Sequence, residues 1–139
     1  MTSFLGLPLN HILPVCLGTI VSVACIPAYF NAPYAIRLFG LPERIATSPA
    51  AASPWMLYSA RIQSLSMMIL VFYARGDYAA VDTTMAFIGL FGAVDVYVCV
   101  KEGVSGKAWE RGIWSFVVGL YGLAGVTQVS GDWRKEKWR

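Results

Sequence analysis

Four long apolar runs, each set off from the next by a polar segment, organise this chain of 139 residues. They cover about 11–30, 54–74, 81–100 and 111–129. Each is about 20 residues long, the length of helix that crosses a hydrocarbon core of about 30 Å. The pattern predicts an all-α, integral membrane four-helix bundle in a single domain, with a basic tail over 130–139. The first run exceeds the apolar core of a secretory leader and no basic residue precedes it, so it reads as a retained span. Pro14 falls in its first turn and Pro27 bends its far end. Ser53 and Pro54 read as the cap and first turn of the second span. The turn from Arg75 to Tyr78 then reverses the chain into the third, and 101–110 is a polar connection to the fourth.

The connection 31–53 contains Pro33, Pro42 and Pro49, so it is not one helix. Within it, 34–41 mixes aromatic, aliphatic and basic residues. Two readings stand: a short segment lying on the membrane surface, and a proline-broken linker. Gly119, Gly122 and Gly125 in the fourth run, and Gly89 and Gly92 in the third, are spaced to let helices approach closely in lipid.

Composition strengthens the membrane reading. Hydrophobic residues make up 57% of the chain and charged residues 14%, against about 25% charged in a typical soluble domain. Mean hydropathy is +0.57. The net charge of +3 is modest, and four of the eleven basic residues crowd the tail, which argues against a nucleic-acid face. Cys16, Cys25 and Cys99 all lie in apolar runs, without the spacing of a disulfide framework or a zinc site. Loop charge does not orient the bundle. Arg75 and the four tail residues on one side balance Arg37, Arg44, Lys101, Lys107 and Arg111 on the other. The tail ends in Lys135-Glu-Lys137-Trp-Arg139, which resembles the dilysine pattern that retains membrane proteins in the endoplasmic reticulum and is read from the cytosol. On that reading both termini are cytosolic. The alternative is a basic anchor on anionic lipid, with Trp133 and Trp138 at the interface.

The candidate chemistry is sparse. Arg61 and Asp95 fall inside spans, where a charge costs about 2.5–3.5 kcal/mol and usually faces the bundle interior with a partner. Antiparallel neighbours bring them to similar depth, which predicts an Arg61–Asp95 pair. Tyr58, Ser64, Asn31, Glu110 and Arg111 gather toward the same end. The pair can hold two helices in register, or it can serve acid/base chemistry with Glu110 as a counterpart. Asp82 reads as a helix-start residue, His11 as interfacial, and Gln63 and Gln128 as interhelical hydrogen bonders. One histidine, no phosphate-cradling glycine loop and no Cys-X-X-Cys lead us to expect neither metal nor cofactor.

Asn31-Ala-Pro33, Phe39-Gly-Leu-Pro42, Tyr58-Ser-Ala-Arg61 and Val94-Asp95 together resemble a family of small four-span membrane proteins of uncharacterised function, found in fungi and bacteria and distantly similar to DoxX-like proteins. That family often carries a histidine near the fourth span, where this chain reads Trp109-Glu-Arg-Gly112. The resemblance implies a role in fungal natural-product pathways, as an enzyme that opens epoxides, cyclises or isomerises a lipophilic polyketide or terpenoid. By analogy with limonene-type epoxide hydrolases, Arg61, Asp95 and Glu110 would be catalytic, and Tyr58, Ser64, Asn31 and Arg111 would bind substrate. The expected partners are that lipophilic molecule and the bilayer, with a homo-oligomer or other membrane enzymes as further company. A non-catalytic scaffold is the competing reading, and a small transporter the third.

Overall fold

The computed structural model describes residues 3–4 and 7–129. A minimal antiparallel ladder pairs β1 (Ser3–Phe4) with β2 (Leu7–Pro8). The rest is helical: α1 (Leu9–Ala24), α2 (Pro27–Phe30), α3 (Ala32–Phe39), α4 (Glu43–Ala46), α5 (Pro49–Arg75), α6 (Tyr78–Lys101) and α7 (Ser105–Leu123), followed by a helical turn at 126–129. The tail 130–139, with its dilysine pattern, lies outside the described residues.

Proline and glycine place most of these boundaries. Pro27 breaks the first apolar run into α1 and the one-turn α2, as its missing N–H and fixed φ require. The second long helix starts earlier than expected. Pro49, not Pro54, occupies its first turn, and Pro54 is carried inside the helix. Gly76 ends α5 with φ of 73°, a left-handed conformation that costs glycine little. Asp77 then caps α6 by accepting a hydrogen bond from the Ala80 N–H at 3.1 Å. Of the expected connection 31–53, residues 31–48 hold two short helices and 49–53 form the start of α5. Asn31 caps α3 by accepting from the Tyr34 N–H, and α3 buries Ala32, Ala35 and Ile36. Its Arg37 grips the Glu43 carboxylate through two hydrogen bonds of 2.8 and 2.5 Å, and this hydrogen bond holds Glu43 below the usual carboxylate range.

The fourth run departs from expectation at both ends. α7 begins at Ser105 and stops at Leu123, and Gly125 (φ 62°) turns the chain before 126–129. Gly125 is therefore a turn residue, outside the helix-packing row. Asp82 does not start a helix of its own. It is buried on α6, and its carboxylate accepts from the N–H groups of Thr127 and Gln128 at 3.2 and 2.8 Å. A carboxylate at an N-terminal turn satisfies donors that would otherwise be stranded in an apolar setting. His11 is likewise buried, not interfacial. Its Nδ1 lies 2.9 Å from the Tyr73 hydroxyl, and the Tyr78 ring packs beside it.

α1 packs on α5, α5 on α6, and α6 on α7. The shared core is Ile69, Val81, Met85 and Val118. Gln63 ties the first pair, accepting from the Tyr29 hydroxyl at 2.6 Å and donating to the Ser22 carbonyl at 2.9 Å. α6 and α7 form the most intimate contact. A Cβ on Gly89 would run into the Gly119 backbone, one on Gly92 into Ser115, and one on Gly122 into the backbone of Asp82 and Ala86. The expected glycine packing is present at these positions.

Outward faces remain strongly apolar. Ile20, Phe87, Leu90, Phe116 and Leu123 are each at least 60% exposed. Such a surface suits lipid and not water. Three helical stretches, Leu9–Phe30, Pro49–Arg75 and Tyr78–Lys101, have the length and apolarity to cross a bilayer. The chain is accordingly a membrane-embedded helical protein. α7 is shorter and carries Lys107, Glu110 and Arg111 in its first turns.

The glycine contact makes a direct test. Gly122→Ala forces backbone apart and should lower stability by about 1–3 kcal/mol, the range for overpacking. Gly106→Ala meets open space on α7 and should be neutral or slightly stabilising. Thermal unfolding of both variants in detergent checks the contrast, and equal midpoints would refute the close crossing.

Candidate functional site

Near the end of the bundle covered by α3, the helices enclose a cavity of about 350 Å³. Its wall is mostly apolar and aromatic, drawing Leu17 and Val21 from α1, Phe39 from α3, Trp55 from α5, Phe91 from α6 and Trp114 from α7. Tyr58, Asp95 and Arg111 join that wall, together with the small polar Cys25, Ser59 and Ser115. α1 and α7 both line it, and at the opposite end of the bundle the Tyr121 hydroxyl of α7 donates to the Asn10 carbonyl of α1.

Tyr58, Asp95 and Arg111 are each positioned by identifiable contacts. The Gly92–Ser115 crossing sets the register of α6 against α7. Asp95 stands one turn beyond Gly92, and Arg111 one turn before Ser115. Tyr58 comes from α5, its ring packed on Trp55 and Phe39. Its hydroxyl donates to both carboxylate oxygens of Asp95, at 3.3 Å each. That shared contact is long for an O–H···O bond. The Arg111 guanidinium lies 3.3 Å above the Phe39 ring and donates to the Phe39 carbonyl. It thus fastens α3 over the cavity. The Arg111 charge also acts on Asp95 and Tyr58.

A second cavity of about 290 Å³ shares Leu38, Asp95, Arg111, Trp114 and Ser115 with the first and adds Lys107 and Glu110. Asp95 and Arg111 therefore stand between an apolar chamber and a charged one. The charged end continues outward through ion pairs of Arg37 with Glu43, Arg44 with Glu102 and Lys107 with Glu110.

The residues expected from sequence separate into two groups. Tyr58, Asp95 and Arg111 converge. Glu110 reaches only the second cavity, and it is exposed and paired with Lys107 at 2.9 Å. The expected Arg61–Asp95 pair does not form. Arg61 is exposed on the outer face of α5 and lines neither cavity. Helical phase explains this: Tyr58 points inward, and Arg61, three residues on, lies about 60° away around the 3.6-residue turn. Ser64 is also exposed, with its hydroxyl bonded back to the Ala60 carbonyl. Asn31 serves as the cap of α3. The aromatic lining of Phe39, Trp55 and Trp114 was not singled out from sequence. Tryptophan and phenylalanine near span ends read equally as interfacial anchors, so only their place on the cavity wall identifies them.

The family model described as a domain of unknown function (DUF4267) matches residues 18–127. No curated protein and no solved structure matches the chain.

Replacing Arg111 by lysine tests how α3 is held. Lysine keeps the charge but loses the planar guanidinium that covers Phe39. Amide hydrogen exchange over 32–39 should speed up by about tenfold, matching about 1.4 kcal/mol of lost docking, while exchange in α6 stays unchanged. Unaltered protection of α3 would refute the clamp.

Proposed function

We propose that this chain, which belongs to the DUF4267 family, is a membrane-embedded enzyme that draws a small lipophilic molecule into the cavity and works on it by acid/base chemistry. The observation that carries this reading is the placement of a Tyr58–Asp95 contact and the Arg111 charge on the wall of a mostly apolar chamber. The best-formed pocket of a protein, apolar with a few convergent polar groups, is the default site.

Opening of an epoxide is the sharpest version of this chemistry. The Asp95 carboxylate takes a proton from water as the water oxygen attacks an epoxide carbon. The carbon–oxygen bond breaks, and the departing oxygen takes the Tyr58 phenolic proton. The proton held by Asp95 returns to Tyr58 through their existing contact, so the site is restored and a diol leaves. In the cyclising form, a hydroxyl of the same substrate replaces the water. Arg111 stabilises the negative charge that passes between the two groups. Glu110 and Lys107 keep the charged chamber hydrated at its outer side. Arg61 has no part in this scheme.

In this reading α7 completes a fourth span beside α6, supported by its exposed Ile113, Phe116, Leu120 and Leu123. The Lys135 and Lys137 pattern supports the endoplasmic reticulum, with both termini cytosolic. The resemblance to DoxX-like relatives and to proteins of fungal natural-product pathways supports a polyketide or terpenoid substrate.

The test uses yeast microsomes holding equal amounts of parent, Asp95→Asn, Tyr58→Phe and Arg61→Ala, supplied with a panel of lipophilic terpenoid and polyketide epoxides. We expect diol or cyclic ether from the parent. The loss should be about 10²–10⁴-fold in Asp95→Asn and Tyr58→Phe, the usual worth of a general acid or base, with little change in Arg61→Ala. No turnover by the parent on any epoxide, or full activity in both site variants, would sink the catalytic reading and leave a scaffold role standing.

A further inference from the structure

The outward face of α5 presents one continuous stripe at helical spacing: Leu57, Arg61, Ser64, Met68 and Val71, all exposed. α1 and α6 pack on the other sides of this helix. Arg61 makes no hydrogen bond or ion pair with any described residue. It is also deep. Arg61 lies about 18 Å along the helix from Pro49 and about 21 Å from Arg75, so it sits at the middle of a helix about 40 Å long that spans a core of about 30 Å. The neighbouring helix also places Arg61 near mid-membrane, about 14 Å from the Lys101 end. Tyr58 is level with Asp95, which lies about 9 Å from Lys101 along α6, and Arg61 is about one further turn in.

An arginine at that depth is costly facing lipid alone, and arginines in spans face a bundle interior or a carboxylate. The bundle of this chain supplies neither to Arg61. We propose that the stripe around Arg61 is a docking surface for a transmembrane helix of another membrane protein, one that carries an aspartate or glutamate at the depth of Arg61. Charge complementarity selects this occupant over a second copy. A two-fold pairing through the stripe would bring Arg61 against Arg61. The exposed carboxylates among the described residues, Glu43, Asp77 and Glu110, all lie near helix ends or in the connection. Asp82 is buried and Asp95 faces the cavity. Small Ser64 lets the incoming backbone approach beside the charge. The inference is independent of the cavity chemistry.

The experiment places the full chain in phosphatidylcholine bilayers with a labelled synthetic helix of leucine and alanine, carrying one aspartate about 14 Å from its end, or leucine at that position. Association is read by energy transfer. The aspartate helix should bind the parent about tenfold more tightly than the leucine helix. Arg61→Leu should abolish that preference and Arg61→Lys should retain part of it. Met68→Trp, two helical turns along the stripe from the charge, should weaken binding by crowding, so the surface is tested even if Arg61→Leu does not fold. Equal binding of the two helices overturns the proposal. So does a preference that survives in Arg61→Leu, which would mean that Arg61 reaches only lipid headgroups. Energy transfer between two differently labelled copies of the chain, lost in Met68→Trp, would overturn it in favour of self-association.

Discussion

In a bilayer, lipid tails are as apolar as leucine, so burial of apolar surface does little to press one helix on another. Association has to come from close packing and from satisfied polar groups. In this protein the crossing of α6 and α7 supplies the packing. Gly89 against Gly119, Gly92 against Ser115 and Gly122 against Ala86 remove the side chains that would hold the backbones apart. Everything at the polar end takes its register from that crossing. Asp95 and Arg111 sit one turn from the Gly92–Ser115 contact, on facing helices. If either helix slid by one residue, the two groups would rotate by about 100° out of the cavity wall.

Polar contacts then finish what packing begins. Gln63 joins α1 to α5 by bonding Tyr29 and the Ser22 carbonyl. Asp82 accepts the free N–H groups of the turn at 126–129 and so anchors the far end of the α7 segment to α6. His11 and Tyr73 bridge α1 and α5 at that same end. The two ends of the bundle therefore differ in purpose. One is closed by buried hydrogen bonds. The other holds two adjoining cavities beneath α3, with α3 itself clamped by Arg111 on Phe39.

This division bears on how a protein with so few charges spends them. Among the described residues, Arg37, Glu43, Arg44, Glu102, Lys107 and Glu110 form short pairs at the charged end. Asp95 and Arg111 are placed in a wall between an apolar and a charged cavity, and the apolar side raises the effect of each charge on a bound molecule. Arg61 stands apart, exposed on the outer face of α5 with no hydrogen-bond or ion-pair partner among the described residues. Its exposure turns the same insertion cost that marks Asp95 as a site residue into an argument for a neighbouring helix.

Run length and apolar content alone determined the helical membrane character of the chain, because a span needs about 20 apolar residues whatever its neighbours are. The glycine spacing of the last two runs was also legible, since only small residues let backbones touch. Tyr58, Asp95 and Arg111 could be named as candidates because polar groups inside spans are expensive. What sequence could not decide was direction. Arg61 and Tyr58 are three residues apart, and depth arithmetic puts both near Asp95. Only the rotation of α5 against α1 and α6 turns Tyr58 inward and Arg61 outward. Equally, the cap on Thr127 and Gln128 comes from Asp82, 45 residues earlier, and the wall of Phe39, Trp55 and Trp114 comes from three different helices. Depth follows from counting along one helix, whereas facing depends on where the other helices sit, and that is a property of the folded bundle.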